Sequence, residues 1–192
     1  MKKNGAPVKA YISLGSNSPD AAEKLESALG EISRLDGVRI AKCSSVFRTQ
    51  PQDYSDQPWF QNQAAELDVL DEDLLPADLL ASFLKIESAL GRNRGPGAVR
   101  YGPRSIDIDL LLFGRLESDA DNCLLPHPRM KNRAFVLVPL QEIAPQLVVD
   151  GMGISFWLDR LDFRVEGKSI FQCQLGLHGL ESGNIRKGIC GN

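Results

Sequence analysis

Apolar runs of membrane length are missing from this chain. No uninterrupted apolar stretch approaches the roughly 18 residues that a spanning helix needs. The opening MKKNGAPVKAYISLG is basic, but its apolar part is too short for a signal-peptide core. The expectation is a cytoplasmic chain without a membrane partner. Net positive charge is missing as well: 22 Lys and Arg face 25 Asp and Glu, for a net charge of −3. A duplex-binding domain usually carries a basic surplus, so nucleic acid is not an expected partner. Cysteine is sparse and badly spaced for metal. Cys43, Cys123, Cys173 and Cys190 form no CxxC, and His127 and His178 do not complete a zinc-finger spacing. Four free thiols in a reducing compartment are expected. There is no GxxxxGK[ST] phosphate loop and no GxGxxG after a strand.

What is present suffices for one compact domain: 192 residues, 43% hydrophobic and 24% charged. Val8–Leu14 reads as a strand that stops at Gly15-Ser16-Asn17. Ser18-Pro19-Asp20 offers a helix start with a Ser cap. Apolar positions at Leu25, Ala28, Leu29, Ile32 and Leu35 keep one face to Asp36-Gly37. Val38–Thr49 is expected as one strand, Gln50–Pro58 as a loop and Phe60–Asp71 as a strand. Pro76–Leu90 carries a helical stripe of Leu79, Phe83, Ile86 and Leu90, with Gly91 as its stop. Ile106–Phe113 is an apolar strand broken only by Asp107 and Asp109. Leu124–His127 is expected as a short strand and Ala134–Ile143 as a helix. The order strand–helix–strand–strand–helix–strand predicts an α+β fold of the ferredoxin-like, split βαβ kind, an antiparallel sheet with helices on one face. The domain is expected over 8–162, followed by a poorly patterned tail over 163–192.

Two segments carry chemistry. Gly91–Pro103 holds four Gly, two Pro and three Arg, and is expected as a mobile loop. Directly after it, Asp107 and Asp109 stand two apart on a strand, so both carboxylates share one face about 6.5–7 Å apart. Such a pair among Ile and Leu repels itself unless cations neutralise it. Hard oxygen ligands suit Mg²⁺, which fills its shell with water and phosphate. Arg92, Arg94, Arg100 and Arg104 beside it can fork onto phosphate oxygens. The combination points to phosphoryl transfer from MgATP.

The run Gly102-Pro103-Arg104-Ser105-Ile106-Asp107-Ile108-Asp109-Leu110-Leu111-Leu112-Phe113-Gly114 resembles the signature of the 6-hydroxymethyl-7,8-dihydropterin pyrophosphokinase family. Leu14-Gly15-Ser16-Asn17, Phe47-Arg48-Thr49, Ile86-Glu87, Gly91-Arg92-Asn93-Arg94 and Pro126 through Phe135 extend the likeness from about residue 10 to 160. The resemblance implies an ATP-dependent diphosphokinase of folate biosynthesis, monomeric, that moves the terminal pyrophosphate of ATP to the hydroxymethyl pterin and releases AMP. It implies that Asp107 and Asp109 bind two Mg²⁺ ions, and that Arg92 and Arg104 contact the phosphates and join the carboxylates as the catalytic set. Arg94, His127 and Arg133 would also hold ATP, with Glu87 near its nucleoside. Thr49, Gln50 and Asn62 would hydrogen-bond the pterin, and Phe60 and Phe135 would sandwich its ring. Two departures stand out: Tyr101 replaces the family's usual Trp, and Gln50 replaces a Pro.

Two other classes share parts of this pattern. A different DxD nucleotidyltransferase would keep the metal pair and release pyrophosphate rather than AMP. A ferredoxin-like RNA-binding module would display strand aromatics, but the acidic balance and the carboxylate pair argue against it.

Overall fold

The computed structural model describes residues 6–52, 56–92 and 104–173. Most of the Arg/Gly-rich loop, with Arg94, Arg100 and Tyr101, lies outside the described residues, as do 174–192.

Chain order gives β1 (Val8–Ser16), α1 (Ala21–Ile32), β2 (Val38–Cys43), β3 (Phe47–Thr49), β4 (Phe60–Val69), α2 (Pro76–Ala89) and β5 (Asp107–Phe113). A 3-10 turn at Met130–Asn132 leads into α3 (Ala134–Ile143). Then come β6 (Val148–Val149), β7 (Met152–Gly153), α4 (Ile154–Leu158), β8 (Phe163–Glu166) and β9 (Ser169–Gln172). β1 lies between β4 and β5, antiparallel to both. β2 and β3 follow one another along the free side of β4. β9 then runs parallel to β3, and β8 closes the hairpin outside it.

Side-chain alternation explains the layers. Ala10, Ile12 and Leu14 of β1, with Leu67 and Val69 of β4, face one way and meet Leu25, Ala28 and Ile32 of α1 and Leu79 and Phe83 of α2. Phe83 is completely buried, which contributes about 1.5–3 kcal/mol of transfer free energy. The other face carries Ala64, Leu111 and Leu112 against Val136, Leu137 and Leu140 of α3 and Ile154 and Leu158 of α4. Helices therefore cover both faces, not one. The second layer escapes the sequence reading because α3 is apolar nearly all round.

Five further expectations change. Val38–Thr49 is two strands, because Ser44, Ser45 and Val46 stand opposite only Ala64 and Gln63, a one-residue bulge. Ser44 fills it, its Oγ accepting from the Ala64 amide at 3.0 Å. Ser18 does not cap α1: its hydroxyl lies 3.0 Å from that of Ser16, and the helix begins at Ala21. Leu124–His127 is not a strand; one isolated bridge joins Ser118 and Leu125. Residues 163–172, read as the start of the tail, form the β8–β9 hairpin, with Ile170 buried against Phe47 and Ala134. Cys43 and Cys123 are free, but Cys173 is disulfide-bonded, so the expectation of four thiols fails there. Among the described residues, no helix is long and apolar enough to cross a membrane.

Candidate active site

A cleft opens on the α3 face, where the end of β1 meets the beginnings of β4 and β5. Strand register builds its floor. Ser13 lies opposite Asp109, Gly15 opposite Asp107, and across β1 the same Gly15 lies opposite Asn62. The absence of a side chain at Gly15 makes room for Asn62: a Cβ there would sit 2.5 Å from the Asn62 Oδ1. The Asn62 amide can then lie over the strand and donate to the Thr49 Oγ at 2.6 Å. Phe60 and Gln50 continue this wall, and Arg133 and Phe135, at the start of α3, form the opposite one. The cavity it encloses is about 70 Å³, smaller than the roughly 300–1,000 Å³ of closed small-molecule sites, and the cleft is open to solvent.

The electrostatics are asymmetric. Burial alone would raise the Asp107 carboxyl, but the guanidiniums of Arg92 and Arg104 outweigh it and hold it below the usual carboxylate value. Both arginines make ion pairs to Asp107, one to each carboxylate oxygen. Asp109 goes the other way. Burial first, and then the charge of Asp107, push its carboxyl up, against the pull of His127, Arg133 and Arg129. Arg133 is 3.8 Å from it. Arg92 is itself held by the Glu87 carboxylate at 2.8 Å. Glu87 is only 1% exposed and also accepts from the Ile108 amide at 2.7 Å.

Nine of the expected site residues line this one cleft: Thr49, Gln50, Phe60, Asn62, Arg104, Asp107, Asp109, Arg133 and Phe135. Arg92 reaches it through Asp107. Glu87 lies against Arg92, almost fully buried. His127 lines an adjoining groove with Leu80, Leu110, Cys123 and Arg129. Its imidazole is pushed below its usual value by burial, with Arg133 and Arg129 adding to the effect and Asp109 opposing it. Arg94 lies outside the described residues.

Sequence reasoning missed Ser13, Gly15, Gln52 and Gln57 in the lining. It also missed the brace beneath them, Asn17. The Asn17 Oδ1 accepts from the Arg104 amide at 2.7 Å, while its Nδ2 donates to the Gln57 Oε1 at 3.0 Å and the Pro58 carbonyl at 3.3 Å. Only the Gly-Ser-Asn stop after β1 hinted at this.

A family model described as 7,8-dihydro-6-hydroxymethylpterin-pyrophosphokinase matches residues 11–145. The chain belongs to that family. Its relatives include the 2-amino-4-hydroxy-6-hydroxymethyldihydropteridine pyrophosphokinase of Methylorubrum extorquens, 42% identical over 154 residues, covering 80% of this chain and 94% of the relative. The protein of the same name from Bacillus subtilis is 42% identical over 155 residues, covering 77% and 89%. Among solved structures, the wild-type HPPK-DHPS of Plasmodium falciparum superposes with a TM-score of 0.60 at 15% identity, over 83% of this chain. The present chain spans only 45% of that larger protein, so the likeness speaks for a shared fold. Every described residue of the cleft named above falls inside the family match, whereas the β8–β9 hairpin falls outside it.

Proposed function

We infer that this pyrophosphokinase chain transfers the terminal pyrophosphate of ATP to the hydroxymethyl group of 6-hydroxymethyl-7,8-dihydropterin, releasing AMP, in folate biosynthesis. The observation that carries the reading is the joining, in one cleft, of a carboxylate pair, its arginines, and the side chains of Phe60, Asn62, Thr49 and Phe135.

The roles follow from position. Phe60 and Phe135 stack the pterin ring, and Asn62, Thr49 and Gln50 bond its edge. Among the described residues no third His, Cys, Asp or Glu joins the carboxylates. A two-carboxylate donor set fits Mg²⁺, which takes the rest of its shell from water and phosphate oxygens. Asp107 and Asp109 would hold two such ions, which when bound neutralise charge on the transferring phosphates. Arg92 and Arg104 then leave Asp107 for the phosphate oxygens, exchanging one anion for another without exposing a bare charge. Arg133, at the start of α3, and His127, from the adjoining groove, bind the polyphosphate. Glu87 acts through Arg92, aiming its guanidinium from below. Arg94 joins this set on the sequence resemblance alone. In-line attack by the pterin hydroxymethyl oxygen on the β-phosphorus needs no covalent intermediate; orientation and the arginine charges supply the acceleration.

The β1-α1-β2-β4-α2-β5 core is read as a ferredoxin-like unit, supported by its β5-β1-β4-β2 adjacency. The domain is read as extending through β9 rather than stopping at 162, and a cytoplasmic monomer completes the proposal. Product analysis tests it. AMP together with a pterin pyrophosphate is expected in equal amounts, and release of free pyrophosphate would overturn the reading in favour of a nucleotidyltransferase.

A further inference from the structure

We propose that Gln172, on the hairpin outside the family match, is a positioning residue for the Arg133–Phe135 wall of the cleft. This rests on the reading above.

The argument begins at the helix. The first amides of α3 have no intrahelical acceptor, and the side chain of Arg133, at the capping position, makes no cap hydrogen bond to them. The acceptor comes from a remote strand instead: the Gln172 Oε1 takes the Ala134 N–H at 2.7 Å. The same amide group donates from Nε2 to the Asn132 carbonyl at 2.9 Å. One side chain thus clamps the backbone on both sides of Arg133, and Phe135 follows directly.

The hairpin is fixed to the opposite wall too. Ile170 is the register partner of Thr49. It is buried between Phe47 of β3 and Ala134 of α3. The Lys168 carbonyl accepts from the Arg48 amide at 2.8 Å. The Gln172 carbonyl accepts from the side chain of Gln52, which lines the cleft, at 3.4 Å. The hairpin therefore spans from the Thr49 side of the pocket to the Phe135 side, and Gln172 is where it grips α3. Loss of that grip leaves two backbone groups unpaired and the aromatic wall free to shift.

The test is steady-state kinetics of the full chain and its Gln172→Ala and Gln172→Glu variants, together with hydrogen exchange at the Ala134 amide without substrates. Loss of one or two hydrogen bonds corresponds to a factor of about three to ten. Gln172→Ala is expected to raise the pterin KM by about that factor with kcat nearly unchanged, and to speed Ala134 exchange. Gln172→Glu keeps the acceptor for Ala134 and should recover the exchange protection and part of the KM. A variant that melts earlier yet keeps wild-type KM and wild-type Ala134 exchange overturns the proposal. If the wild type made no pterin pyrophosphate, the functional reading would fail instead, and the exchange data would still judge the clamp.

Discussion

Gly15 and Asn62 face each other across β1 and β4 with no room for even a methyl group between them: a Cβ on Gly15 would stand 2.5 Å from the Asn62 Oδ1. That closeness lets Asn62 lie flat and hold the Thr49 hydroxyl. Since the obstacle is a side-chain end, Gly15→Ala should fold and push the amide aside. The expected result is a pterin KM about tenfold higher, the loss of roughly one good hydrogen bond, with the ATP KM little changed. Unchanged pterin binding would mean that Asn62 does not recognise the ring.

Asp107 and Asp109 should differ in their effect on stability. The arginines around Asp107 outweigh its burial and lower its carboxyl, so its charge stabilises the fold above the unfolded carboxylate pKa and is lost as pH falls through the lower folded value. Asp109 has the opposite sign. Burial and Asp107 raise its carboxyl, so the folded chain binds that proton more readily, and stability falls as pH rises through the carboxylate range. In chelator at pH 7, Asp107→Asn should lower the Tm and Asp109→Asn should raise it. Both should lose turnover, by about 10²–10³-fold or more. Equal Tm shifts of the same sign would refute the asymmetry.

On the proposed reading, Glu87 acts through Arg92 rather than on the nucleotide. Glu87→Gln keeps an acceptor for the Ile108 amide but removes the charge facing Arg92. The kcat should fall by about tenfold, with KM for ATP near wild type. Arg92→Ala should cost kcat more heavily and leave pterin affinity nearly intact. A variant at Glu87 that changed only the ATP KM would restore the nucleoside contact expected from the sequence.

Away from the cleft, Lys9 and Arg39 converge on the buried Asp68, and Lys9 also bonds Glu66. Hydrogen bonds from both cations lower the Asp68 carboxyl, so its contribution is present above the unfolded carboxylate pKa and disappears as pH falls through the lower folded value. Lys9 is raised, chiefly by its bonds to Asp68 and Glu66, so its share is full below the usual lysine range and is lost at more alkaline pH. Asp68→Asn should cost about 1–3 kcal/mol at pH 7 with catalysis unaffected, measured by urea denaturation and a parallel rate assay.

Much of this was legible beforehand because local rules were unopposed. Pro76 and Gly91 bracket α2, and Ile106–Phe113 leaves little choice but a buried strand. The carboxylate pair was readable from its i, i+2 spacing alone. Other features depend on partners distant in sequence. Nothing around Ser44 announces that its hydroxyl will fill a bulge opposite Ala64. Glu87 looks like any helical glutamate until Arg92 and the Ile108 amide close over it. The β8–β9 hairpin is short and half-polar, and it becomes a strand pair only because β3 offers it an edge and Phe47 and Ala134 offer Ile170 a hole.

The most direct test of the central claim is a calorimetric titration of the full chain with a hydroxymethyl-pterin analogue, with and without Mg²⁺ and a non-hydrolysable ATP analogue. Both ligands would occupy one cleft whose carboxylates and arginines must be rearranged together. The account therefore predicts pterin binding that appears or tightens when the nucleotide and metal are present. Nucleotide binding with no pterin binding under either condition would contradict it.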